Sequence, residues 1–411
     1  MIEKVLNIID KNRDYVLNLL CKLIEIPTVV PPGQNYEDMC NFLKDVLKDM
    51  GLRVNIIKVP KEVVEKYFPE HADYPRLIVH AEYGSGKPTL HFNGHYDVVP
   101  PGTGWTVTEP FKPKYIDGKV YGRGTSDMKS GIASTLLTIK ALVESDFKIN
   151  GKIEVSFVPD EEVGGQTGTA YLLENIPKPD YAIIAEPTGL NDIWIGNKGL
   201  LWLSIEVLGK QVHASKPWLG INAFEKGVEL AYLIIKELKP RVESRLSSYE
   251  YEEIEGKRAT MVLGGEVKGG DKVNIVPGYF NFSIDRRILP EEDVELVEKE
   301  MIQFIHDKAK ELNININIKI LQKSKASIID SNAKIVMLLK ECIMEELNIE
   351  PRTTVCIGGL DTRYFQERGI EALTYGPGNP DTPHIADEYV DFENIIKVSR
   401  VYARLVNKLL G

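Results

Sequence analysis

An α/β protein, with a mostly parallel sheet flanked by helices and a second domain of βαββαβ order inserted into it, is the fold class this sequence predicts. Three observations carry that expectation. Up to residue 196, and again from 323 onward, short apolar runs alternate with stretches of helical periodicity, the pattern of a parallel sheet covered by helices. Between 197 and 322 the order becomes strand, helix, strand, strand, helix, strand, the ferredoxin-like split arrangement. A chain of 411 residues also exceeds one typical domain. The expected division is a discontinuous first domain, 1–196 plus 323–411, and an inserted domain, 197–322.

The elements follow in order. A helix is expected over 1–25, where Val5, Ile8, Ile9, Val16, Leu19, Leu20 and Leu23 recur at helical spacing until Pro27 and Pro31-Pro32-Gly33 end it. A second helix over 36–50 stops at Gly51. Short apolar strands come next, at 54–59, 77–81 and 90–93. After the Gly- and Pro-rich loop 100–126 there is a helix over 129–144, then a strand, 153–158, that runs into Asp160-Glu161-Glu162. A helix near 168–175 leads to a strand at 181–185. In the insert, 200–208, 260–267, 279–288 and 314–320 read as strands, 221–238 and 291–312 as helices, and 241–258 as a charged excursion. Helices over 331–347 and 390–409 complete the first domain.

Composition excludes several classes. The apolar share of 43% supports a full core. The formal charge of −10, with both signs interspersed, argues against a nucleic-acid or anionic-membrane partner. No apolar run approaches the roughly 20 residues that span a bilayer, and the N-terminus lacks the apolar core of a signal peptide. A soluble cytoplasmic protein is the expectation. The four cysteines, Cys21, Cys40, Cys342 and Cys356, form no Cys-x-x-Cys pair, so neither a thiolate zinc site nor a disulfide framework is indicated.

The chemistry gathers at the ends of predicted strands. His95 and Asp97, two apart on an extended segment, point to one side, where the carboxylate can orient the imidazole. Asp127 follows a glycine-rich turn and stands where a helix cap belongs, so capping is its plain alternative. Glu161 and Glu162 leave an apolar strand together; one can ligate a metal while the other accepts a proton from water. Glu186 closes another strand, at the edge where ligands bind in open α/β sheets. His384 lies in a loop between a strand and the last helix. Each has a bland reading, as a strand-end histidine, a cap or a solvated loop, but together they supply a carboxylate-rich set without thiolates. Such a set suits two zinc ions, with cobalt or manganese as alternatives, and two metals imply hydrolysis by an activated water.

These segments resemble a known family. Gly94-His95-Tyr96-Asp97-Val98-Val99-Pro100, Gly122-Arg123-Gly124-Thr125-Ser126-Asp127-Met128-Lys129, Asp160-Glu161-Glu162, Glu186-Pro187-Thr188, 209–215, 358–363 and His384 match, in order, the zinc-dependent acetylornithine deacetylase, succinyl-diaminopimelate desuccinylase, aminoacylase and glutamate carboxypeptidase family, metallopeptidase family 20. The resemblance implies a zinc-aminopeptidase-like catalytic domain. It implies that His95 and Glu186 hold one zinc, Glu162 and His384 the other, that Asp127 bridges both and precedes a cis peptide, that Asp97 orients His95, and that Glu161 is the general base. It makes the insert a lid and dimerisation domain, whose His213 reaches into the partner's site to stabilise an oxyanion. Asn274 and Arg286 match groups that bind the substrate carboxylate, Gly358 and Gly359 offer backbone N–H groups, and Arg363 helps to position that loop. Where desuccinylases tend to carry paired arginines, this chain has Asn197-Lys198.

The expected function is a two-metal amidohydrolase that deacylates an N-acylated amino acid, succinyl-diaminopimelate first and acetylornithine second, as a homodimer. A dipeptidase or carboxypeptidase acting on short peptides is the nearest alternative. A catalytically silent metal- or ligand-binding protein on the same scaffold is the alternative of another class.

Overall fold

The computed structural model describes all 411 residues. The chain divides into two compact units: Met1–Ile195, Ile329–Thr353 and Leu360–Gly411 form the first, and Gly196–Ile328 with Thr354–Gly359 the second. The segment 354–359, expected in the first domain, goes with the second unit.

In the first unit, four strands run parallel in the order Gly151–Val158, Thr89–His95, Tyr181–Ile184, Glu371–Thr374. The flanks are antiparallel: Arg53–Lys58 pairs with Leu77–Ser85, which pairs with Gly151–Val158, and Thr374 meets Trp194 on the far side. The sheet is therefore mixed, not mostly parallel. The reason for the difference is visible in burial. The N-terminal half of Leu77–Ser85 is buried on both faces, as a parallel strand would be, so its composition does not betray its direction.

The first helix is two, Ile2–Lys11 and Arg13–Glu25, broken at Asn12, whose backbone leaves the helical region. Helix Ser130–Glu144 is buried on nearly every side, as its uniform apolarity requires. Its second residue, Gly131, lies so close to the sheet that an added Cβ would stand 2.0 Å from the Ala185 carbonyl. That approach sets the helix start against the end of the strand that carries Glu186. Helix Phe392–Leu410 packs beside it, with Thr138 Oγ1 donating to the Ser399 carbonyl at 3.1 Å. No helix is long and apolar enough to cross a membrane.

The second unit has a four-stranded antiparallel sheet in the order Thr260–Gly269, Tyr279–Ile288, Gly199–Leu208, Asn315–Ser324, with the first expected strand at the centre. Helices Ala223–Leu233 and Val294–Glu311 close one face over a core that includes Leu203, Ile205, Val207, Leu230, Ile284 and Met301. Asn222 and Asp293 cap these helices, each accepting two backbone N–H groups. The charged excursion contains a short helix, Lys239–Glu243, and a turn of 3-10 helix, Ile254–Lys257.

Candidate metal centre

Every candidate ligand lies in the first unit, at one edge of its sheet. His95 is the last residue of its strand; Glu161 and Glu162 follow Gly151–Val158; Glu186 follows Tyr181–Ile184. Parallel neighbours end at a common edge, so the topology itself gathers these side chains. Asp127 arrives from the turn before helix Ser130–Glu144, and His384 from the loop after Glu371–Thr374, with a left-handed φ of 65°.

The geometry turns on Asp127. Its Oδ1 lies 2.9 Å from His95 Nε2, and its Oδ2 lies 3.4 Å from His384 Nε2. His95 Nε2 is also 3.6 Å from Glu186 Oε1, while His384 Nε2 is 3.0 Å from Glu162 Oε2. One carboxylate thus faces two separate His–Glu pairs, with one oxygen turned to each. The capping alternative for Asp127 fails, because the helix begins at Ser130 without a side-chain cap. The Asp127–Met128 peptide is cis, as the resemblance implies. His95 Nδ1 faces the Asp97 carbonyl at 3.0 Å and the Asp97 carboxylate at 3.6 Å. That carboxylate also accepts the backbone N–H groups of Glu161 and Glu162, at 3.3 and 3.1 Å, so Asp97 touches both His95 and the paired glutamates.

The electrostatics are unbalanced. Burial and the neighbouring carboxylates push Glu162 up to about 7 and Glu186 up to about 8, although His95 works against the latter shift. Burial, then Glu186 and Asp361, hold Glu161 well above the usual carboxylate range. Burial opposes a charge on His95, but Glu186, Asp127 and Asp97 outweigh it and raise the imidazole well above its ordinary range. Hydrogen bonds to Asp127 and Glu162 raise His384 to about 10. Glu186 Oε1 is buried and has no hydrogen-bond partner. Crowded carboxylates, imidazoles and an orphaned buried oxygen, with no thiolate, are what a divalent cation would neutralise. Two triads bring ligand atoms within 4.8 Å of one another, His95–Glu161–Glu186 and His95–Asp127–Glu162.

The other predicted residues lie in the second unit. His213 is exposed, its Nδ1 paired with Ser215 Oγ at 2.7 Å. Asn274 is exposed, and its carbonyl accepts the Ala214 N–H at 2.9 Å. Arg286 is fully buried and pairs through Nη2 with Glu292 at 2.6 Å. Gly358 and Gly359 are half-buried. Asn197 and Lys198 are spent internally: Asn197 Oδ1 accepts from Ser327 Oγ at 2.8 Å, and Lys198 Nζ donates to the Arg258 carbonyl at 2.6 Å. Arg363, in the first unit, donates to the carbonyls of Gly164 at 2.6 Å and Leu360 at 3.0 Å, and so braces the loop behind Glu161 and Glu162.

Comparison with known proteins settles the family. Residues 91–408 match the model of peptidase family M20/M25/M40. The chain belongs to this family. It is 30% identical, over 96% of its length and 99% of the relative's, to an uncharacterised metallohydrolase of Methanocaldococcus jannaschii. It is 29% identical, over 96% and 99%, to a succinyl-diaminopimelate desuccinylase of Nautilia profundicola. Its fold is that of human carnosine dipeptidase 1, with a TM-score of 0.78 at 18% identity, covering 99% of this chain and 98% of that one. The protein is a metal-dependent hydrolase of amide bonds, as this family's members are.

Two contributors near the centre escaped sequence reasoning. Asp361 is fully buried and raises Glu161, and Glu388 is buried beneath Asp127. Asp361 lies inside the segment 358–363 with nothing to single it out there, and Glu388 carries no local signal beyond its nearness to His384.

Proposed function

We propose that the protein is a two-metal hydrolase that removes the acyl group from an N-acylated amino acid, with succinyl-diaminopimelate and N-acetylornithine as its first candidate substrates. The observation that carries this reading is the placement of the two Asp127 oxygens toward separate His–Glu pairs. In it, His95 and Glu186 would hold one ion and His384 and Glu162 the other, with Asp127 shared between them. Zinc is the first choice for such donors, and cobalt or manganese the substitutes. Bound ions supply Lewis acidity toward the amide carbonyl and acidify a water.

The chain's own residues do the rest. Glu161 accepts a proton from the attacking water and returns it to the departing amine. The C–N bond breaks as the water oxygen becomes part of the released carboxylate. Burial is the first cause that raises the Glu161 carboxyl, and a raised carboxylate suits a proton shuttle. Asp97 keeps the His95 ring and the Glu161 backbone in register. His213 is assigned to the oxyanion, and Asn274, Arg286 and the N–H groups of Gly358 and Gly359 to the substrate carboxylate. For Arg286 that role means exchanging Glu292 for substrate.

A homodimer through the second unit belongs to the same reading. Phe224, Val228 and Tyr232, four residues apart on one helix face, are exposed, as are Val262 and Val267 on the edge strand Thr260–Gly269. A bare apolar helix stripe and an unpaired strand edge are the kinds of surface that a second copy covers.

The desuccinylase relative supports a succinyl substrate. The internal engagement of Asn197 and Lys198 favours instead a substrate without a second carboxylate, a dipeptide included. Amine release from N-succinyl, N-acetyl and dipeptide substrates by zinc-loaded protein separates these. One preferred acyl-amino acid, with turnover lost on chelation, is the expected result. Preferred dipeptides would move the protein to the peptidase branch. Silence across the panel, unchanged in Glu161→Gln, would leave a binding protein.

A further inference from the structure

Glu388 lies four residues beyond His384 in the chain and is fully buried. Its Oε1 accepts the backbone N–H groups of Ser126 at 2.8 Å and Asp127 at 3.1 Å. Its Oε2 accepts the N–H of Gly124 at 3.0 Å and Arg123 Nη1 at 2.5 Å. Four donors thus converge on two oxygens, and all come from the segment that delivers Asp127. Arg123, itself 2% exposed, turns back the other way: Nη1 also reaches the Ile385 carbonyl at 3.2 Å, next to His384. The two segments are joined at the main chain as well, by pairing of Tyr121 with Tyr389 and by the Gly122 N–H to the Glu388 carbonyl at 3.0 Å.

The placement is specific. The segments so joined each carry one of two side chains that face each other, Asp127 Oδ2 and His384 Nε2, 3.4 Å apart. His384 is half-exposed on a loop and has no strand of its own to fix it. An ion between these two groups is held tightly only if both arrive already placed, because ordering a loop at the moment of binding subtracts from affinity.

We propose that the Arg123–Glu388 pair is a positioning device of the metal centre, locking the Asp127 turn and the His384 loop into one frame so that the ion shared by His384, Glu162 and Asp127 meets preformed ligands. The inference rests on the metal-centre reading above. Neither residue touches reacting atoms; both act through Asp127 and His384.

The test is cobalt and zinc titration of chelator-treated protein, read by competition with a chromophoric chelator and by the visible spectrum of bound cobalt. Glu388→Gln keeps the size but presents an amide N–H₂ to donors that need an acceptor. It is expected to bind the second ion roughly 10–100-fold more weakly, with an altered second-site cobalt spectrum and a still cooperative thermal transition. Glu154→Gln, a buried carboxylate far along the sheet from Asp127, is the control for general loosening and is expected to titrate like wild type. Should Glu388→Gln fail to fold, Arg123→Lys serves, since it keeps the charge but lacks the planar guanidinium that spans Glu388 and the carbonyls of Ile385 and Pro101. Wild-type affinity and spectrum in the folded Glu388 or Arg123 variant would overturn the proposal, as would equal weakening in Glu154→Gln. A wild-type protein that takes up no metal would instead sink the metal-centre reading itself.

Discussion

The first unit holds two clusters of histidine and carboxylate on the same sheet, and they differ in almost everything except composition. Around Asp127, carboxylates crowd at the strand ends and one Glu186 oxygen has no partner. Farther back along the strands, His80, His91 and Glu154 also bring ligand atoms within 4.8 Å of one another, all buried. Yet there Lys152 Nζ meets Glu154 Oε1 at 2.5 Å, and His91 is satisfied on both sides, by Glu154 at 3.0 Å and Ser156 Oγ at 2.6 Å. His80 Nε2 lacks a hydrogen bond, but the carboxylate in its reach, 4.0 Å away, is already matched by a lysine. Burial opposes the Glu154 charge, but His80, His91 and Lys152 hold it well below the usual range. At the Asp127 cluster, burial and repulsion drive Glu162 and Glu186 the other way. What marks a metal centre is thus an unpaid excess of negative charge, not the mere meeting of ligand-type residues.

The comparison is broken most violently at Asp127. Asp127→Ala removes the one side chain that faces both His–Glu pairs, and metal content by mass spectrometry under native conditions is expected to drop together with all turnover. Metal content equal to wild type would mean the ions, if any, sit elsewhere. Glu161→Gln comes next. It should leave metal content intact while kcat falls by about 10²–10⁴, the usual worth of a general base. Unchanged kcat would transfer the proton to another group. Then comes the second cluster. Glu154→Gln takes a partner from Lys152 and two histidines, and a stability loss of about 1–3 kcal/mol is expected from urea unfolding. Metal stoichiometry should not move; a lost ion would show that the balanced cluster is a site after all.

Much of this was legible in the sequence, for identifiable reasons. His95, Glu161, Glu162 and Glu186 were found because they end apolar strands, a local pattern, and parallel pairing then gathers them at one edge. Strand direction was not legible: Leu77–Ser85 is antiparallel to Gly151–Val158, but its burial imitates a central parallel strand. Asp127 was ambiguous because a cap and a metal ligand ask for the same residue at the same place; in the structure helix Ser130–Glu144 starts without a side-chain cap, and Asp127 faces His95 and His384 instead. Glu388 was invisible. Between Asp387 and Tyr389 it reads as a solvated loop carboxylate, and its burial depends on Arg123, 265 positions away in the chain. Asn12 breaks the first helix without a proline or glycine to announce it.

The smallest expected effect concerns pH, and it sharpens the contrast from the quiet side. Burial pushes the His91 imidazole below its ordinary value of 6.5, and Glu154 only partly restores it. A histidine lowered in the folded state takes up its proton first in the unfolded chain. Its contribution is therefore complete above the unfolded value and is lost as pH falls below it. Glu154, depressed from an ordinary value of 4.5, loses its contribution in a separate and more acidic window. Between pH 7 and 5 the His91 contribution therefore changes with pH, and one proton sets its ceiling at about 1.4 kcal/mol per pH unit. His91→Asn keeps an amide that can bond Glu154 or Ser156 but does not titrate. The stability gap between wild type and His91→Asn, measured by urea unfolding of metal-loaded protein at pH 7, 6 and 5, should shrink as the solution is acidified. Loading matters because His95 and His384 carry shifts of the opposite sign when no ion holds them. A constant gap would mean that His91 titrates alike in the folded and unfolded chain, and a widening one that folding raises its proton affinity instead of lowering it. The balance that separates the two clusters would then lie elsewhere than in the Lys152–Glu154–His91 chain.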